Sequence, residues 1–231
     1  IKDLPRLGGY EMTFRINPLK GIYNRENYSH QLQKAETFVG YKRIIVLLFF
    51  LSMCMYAVGA AFGIGSELLS KEMTTISNGE LEAKKQLFFL GRVVIGLFVP
   101  AFIIFVGALY YWSFLNLSYQ KLVTIQLSVF SVFLLEKALQ IPVFLLMDIS
   151  AASNPFSLGV IAQYITNQEL IIHFFSQITI FQVWMITILC YYLQRLSEQR
   201  KSTIIALVVC FFLFCWIISG LLSFIKNGIF L

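Results

Sequence analysis

The chain has 231 residues, of which 58% are hydrophobic and 13% charged, with 23 Phe, a formal net charge of +6 and a mean hydropathy of +0.75. An ordinary soluble domain has about 45–50% apolar and about 25% charged residues, and one core of this size cannot hide the excess. The numbers exclude a soluble globular domain, a disordered chain and a secreted disulfide scaffold. They predict an all-α, polytopic membrane protein.

In chain order, residues 1–42 read as a basic cytoplasmic arm and 43–231 as a membrane domain. The first residue is Ile1 rather than Met, so a preceding segment is expected. The arm mixes Phe14, Ile16, Tyr23, Tyr28 and Leu32 with basic residues. It is expected to lie as an interfacial helix along the inner leaflet, where each basic residue gains about 1 kcal/mol from anionic lipid. Arg15, Lys20, Arg25, Lys42 and Arg43 are its candidate lipid contacts.

A bilayer core of about 30 Å needs about 20 apolar residues per helix, and five segments qualify: 44–64, 87–115, 122–147, 170–193 and 203–225. Lys and Arg are concentrated before the first span, after the second and after the fourth, which places the N-terminus in the cytoplasm and the C-terminus outside. A capping box at Ser77–Glu80 should start a short amphipathic helix leading into the second span. Asn154-Pro155 reads as a helix start, and a second capping box runs from Thr166 to Glu169. Between them, 156–165 is too apolar for a free loop and too short to span, so it should lie in the outer interface or fold back on the bundle.

Few polar groups enter the spans. Glu136 and Lys137 stand mid-way along the third, where each costs about 2.5–3.5 kcal/mol to insert unless it meets protein or water. Adjacent residues point about 100° apart on a helix, so Glu136 should meet Gln140, and Lys137 a carbonyl or acid elsewhere. With Pro142, which frees a backbone carbonyl, they form a candidate polar or partner site; polar glue between helices is the alternative. Gly59 and Gly63 form a small-residue face suited to close helix packing.

Ser66 and His173, near the outer ends of two spans, could pair as a hydrolase dyad, although capping and apolar packing are the ordinary uses of such residues. His30 is alone in the arm. The cysteines Cys54, Cys190, Cys210 and Cys215 read as small hydrophobes. With Asp3 and Asp148 the only aspartates and no metal-binding or phosphate-binding motif, no enzyme activity, metal or cofactor is expected. No nucleic-acid partner is expected either.

Three stretches carry a resemblance: Ile16-Asn17-Pro18-Leu19-Lys20-Gly21-Ile22 before the first span, Ile141-Pro142 in the third, and Phe181-Gln182-Val183-Trp184 in the fourth, followed by the basic turn Leu196 to Lys201. The order of these features resembles the Yip1-domain family, closest to its small Bacillus-type members associated with a MacB-like ABC exporter. The likeness covers most of 14–225; Tyr191-Tyr192-Leu193 departs from it where a glycine is expected. It implies five packed spans and a non-catalytic accessory or assembly subunit in a Gram-positive plasma membrane. Its implied partners are an ABC permease and associated subunits. A transport subunit with a polar path at Glu136 and Lys137 is the alternative.

Overall fold

A computed structural model describes residues 13–66, 78–147, 149 and 153–228, with backbone alone for 78 and 223–228. The capping serine expected at Ser77 lies outside these residues. The chain is mostly helical. Four helices are long and apolar enough to cross a membrane: Tyr41–Ala61, Gly79–Phe114, Tyr119–Met147 and Lys201–Leu222.

The arm departs from a flat interfacial helix. It contains β1 (Thr13–Arg15), α1 (Pro18–Tyr23), α2 (Arg25–Lys34) and β2 (Thr37–Val39), with the two strands paired in parallel. Asn17 caps α1 by accepting from the Lys20 amide, and Pro18 occupies the first turn, where a missing N–H costs nothing. Phe14, Ile16, Tyr28, Leu32 and Ala35 are buried in the main core, so the arm is a folded cap and not a surface layer. Burial pushes the Tyr28 phenol up to about 12.

The cap docks on the membrane domain through Gly21 and Tyr192. A Cβ on Gly21 would collide with the Ser128 hydroxyl, and the fully buried Tyr192 donates to the Gly21 carbonyl over 2.5 Å. Tyr192 therefore ties two elements together. Tyr192→Phe should strand a buried carbonyl at a cost of about 1–3 kcal/mol. Faster protease cleavage within 13–40, with the remaining helices intact, is the expected readout.

In the membrane domain, α3 (Tyr41–Ala61) packs most extensively on α4 (Asn78–Ala101). Helix α4 starts with the exposed Glu80, Glu82, Lys84 and Lys85, and carries Pro100 near its end. It continues through a π-turn at Phe102–Val106 into α5 (Gly107–Phe114). Tyr119 donates to the Phe105 carbonyl in that turn, 3.3 Å away. The long α6 (Tyr119–Met147) is the centre of the domain: every residue from Leu122 to Leu134 is buried. It runs on through Pro142 to Met147.

The segment expected to be a single fourth span is divided. Residues 159–165 form α7 (Gly159–Ile165), followed by α8 (Glu169–Ser176), a break at Gln177–Thr179, and α9 (Ile180–Leu196). The break exists because residues 156–158 pair with it: Leu158 donates to the Ile178 carbonyl and Ile180 to the Phe156 carbonyl, at 2.9 and 3.0 Å. Helix α9 has 17 residues, about 25 Å at 1.5 Å each and so short of a bilayer core by itself. The apolar stretch 156–165 folds back, with α7 against α8. Thr166 accepts from the Gln168 amide ahead of α8, and Asn154 accepts from the Phe156 amide ahead of α7. The last helix, α10 (Lys201–Gly228), packs on α8 and α9, and Trp216 on it donates to Gln182 of α9 over 2.6 Å.

Candidate functional site

Helix α6 brings Glu136, Lys137 and Gln140 to the break between α8 and α9. Glu136 is buried, and one carboxylate oxygen accepts from Gln140 Nε2 at 3.0 Å and from Thr179 Oγ1 at 2.8 Å. Lys137 Nζ donates to Gln140 Oε1 at 2.9 Å and lies 5.3 Å from the centre of the Phe133 ring. Gln140 therefore bridges both neighbours, its amide nitrogen to the acid and its oxygen to the amine. Separate partners for the two charges are not what forms. A glutamine four residues from one and three from the other is within reach of both.

Thr179 is the residue that sequence reasoning missed. It is the N-cap of α9, accepting from the Gln182 amide while its hydroxyl proton goes to Glu136. One side chain thus serves the helix start and the contact to α6. The other Glu136 oxygen, Oε2, is buried with no hydrogen-bond partner among the described residues.

Beside this latch lies a cavity of about 200 Å³ whose polar lining includes Arg92, Lys137, Gln140, Asn154, Ser176 and Gln177. Arg92, on α4, donates to the Ile64 carbonyl at 2.8 Å and lies over the Phe88 ring. Gln177 donates to the His173 carbonyl at 3.3 Å. A polar cavity beside an interrupted helix is the kind of place where irregular backbone is tolerated at membrane depth. The sequence signal was present in Arg92 within an apolar run and in Gln177 and Thr179 midway through another. No protein-family model, curated protein or solved structure matches the chain.

The other predicted residues fall elsewhere. Gly59 borders the same cavity, but a Cβ there would meet nothing within 4 Å. Gly63 sits past the end of α3 with φ 74°, a turn position. Neither is the close-packing glycine. That role belongs to Gly96 of α4, where a Cβ would lie 2.9 Å from the Met53 Cα and 3.3 Å from the Ser52 carbonyl oxygen.

Ser66 donates its hydroxyl to the Gly63 carbonyl at 2.7 Å, and His173 is buried on α8. His30 is exposed. The four cysteines are free thiols, and among the described residues no cluster of His, Cys, Asp or Glu could hold a metal. Of the basic residues, Arg15, Lys20, Lys42 and Arg43 border one groove beneath the arm. Arg25 does not; its guanidinium donates to the Ile22 carbonyl inside the arm at 3.2 Å.

Proposed function

We propose that this chain is a non-catalytic accessory or assembly subunit that binds other membrane proteins. The observation behind this reading is the inward closure of the mid-helix polar groups. Glu136, Gln140, Lys137 and Thr179 bond one another, and along their apolar runs α3, α4 and α10 turn large apolar side chains outward. A protein of that kind offers surfaces and not reacting groups. In this reading α8 and α9 together make an interrupted fourth crossing, giving five, with the arm cytoplasmic and the C-terminus outside. The resemblance to the Yip1-domain family supplies the setting: a Gram-positive plasma membrane and, as partners, the permease and associated subunits of an ABC-type exporter. Purification in mild detergent from native membranes should recover a stoichiometric membrane partner. A monodisperse monomer there would overturn the proposal.

A second reading, a transport subunit, is favoured by one feature. Met55 lines both the cavity at the break and the groove beneath the arm, so the two openings share a wall residue. Replacing Glu136 and Lys137 together by Leu separates the readings. Loss of flux with the complex intact supports transport, and loss of the complex supports assembly.

A further inference from the structure

The groove beneath the arm has a volume of about 1950 Å³ and two chemically different ends. Its apolar lining includes Leu47, Leu51 and Met55 of α3 and Leu134, Leu135 and Ala138 of α6, two helices that touch each other. Leu47, Leu51 and Leu135 are exposed, so this slot is open and not a filled helix interface. Its mouth lies where the arm meets the membrane domain and carries Arg15, Lys20, Lys42 and Arg43. Among the described residues no carboxylate lines it.

The dimensions fit one membrane component. From Lys42 to Met55, α3 rises about 20 Å, while one leaflet of a bilayer core is about 15 Å deep. The slot is therefore long enough for acyl chains entering from the arm's side, and its cationic mouth sits at head-group level. Basic residues gathered at the end of an interhelical slot select anionic head groups over zwitterionic ones, whereas an apolar slot alone does not discriminate. A partner helix would explain the apolar walls but would leave four cations unaccounted for.

We propose that the groove is a binding site for one anionic glycerophospholipid, with the phosphate held by Arg15, Lys20, Lys42 and Arg43 and the chains laid between α3 and α6. The lipid serves as a wedge between the arm and the first span, so the occupant is an integral part of the folded membrane domain. A single seat with apolar walls as well as charge distinguishes such binding from diffuse attraction to an inner leaflet.

The test uses the full chain reconstituted into phosphatidylcholine vesicles. These contain a trace of phosphatidylglycerol carrying a photoactivatable diazirine near the end of one acyl chain, or the matching phosphatidylcholine probe. Mass spectrometry then locates the adducts. The phosphatidylglycerol probe should label 47–55 and 134–138 about fivefold or more above the phosphatidylcholine probe, the preference expected from even one head-group contact. Changing Arg15, Lys20, Lys42 and Arg43 to Gln should abolish that preference, and Ala138→Trp should remove the adducts themselves. The charge variant alters exposed side chains only, so it remains decisive if Ala138→Trp fails to fold. Equal labelling by both probes, adducts spread over α4 and α10, or a preference that survives the charge variant would each overturn the proposal.

Discussion

Glu136→Leu is expected to open the α8–α9 break and to destabilise the membrane domain by about 2–3 kcal/mol, the sum of one interhelical and one intrahelical hydrogen bond at the strong end of the range for membrane proteins. Leu is easier to insert than Glu, but that advantage applies to the folded and the unfolded inserted chain alike. The difference between the two states is the latch. Without the carboxylate, the Thr179 hydroxyl loses its acceptor on α6 and the Gln140 amide its acceptor one turn back. Glu136→Gln keeps an acceptor at the same place and should cost about 1 kcal/mol or less. Thermal unfolding in mild detergent gives the magnitude, and amide exchange at 177–180 gives the location. Faster exchange there in the Leu variant, with the rest of α9 protected, is the expected result. Unchanged exchange would remove Glu136 from the role of latch.

Gly96→Val should separate the α3–α4 pair at a cost of about 3 kcal/mol, the upper end for forcing volume into a packed site. The first obstacle is the Met53 Cα, 2.9 Å from where the new Cβ must sit. Backbone cannot swing aside as a side chain can. In lipid the apolar faces gain nothing by leaving water, so close approach supplies most of the attraction between helices. Gly59→Ala carries the opposite expectation. Its Cβ meets nothing within 4 Å, and replacing a glycine in the last helical turn of α3, where the backbone suits alanine, gains about 0.4–1 kcal/mol by restricting the unfolded chain. Unfolding midpoints for the two variants should therefore move in opposite directions, and a stabilising Gly96→Val would dispose of the packing assignment.

The arm shows where local reading loses information. Asn17-Pro18 is a helix-start signal that the structure uses. Three-residue strands such as Thr13–Arg15 and Thr37–Val39, by contrast, carry too few residues for an alternation to register. They form because the intervening α1 and α2 bring them side by side. Tyr192 illustrates the same limit. Its partner, the Gly21 carbonyl, is 171 positions away, and no periodicity encodes that distance. The Glu136–Gln140 bond was legible because both residues lie on one helix at a spacing of four; its completion by Thr179 was not.

Composition and apolar run length by themselves determined that this is a helical membrane protein, because a bilayer demands about 20 apolar residues per crossing and a closed backbone. They also singled out Glu136 and Gln140, which are buried, as polar residues inside an apolar run. Only the tertiary structure decided that the run at 170–193 breaks at Gln177–Thr179, because the Phe156–Leu158 backbone that pairs with it comes from another element. It also decided that Gly96, and not Gly59 or Gly63, is a point of close helix approach. Run length registers hydrophobicity along the chain, whereas breaks and close contacts depend on what lies across from each residue.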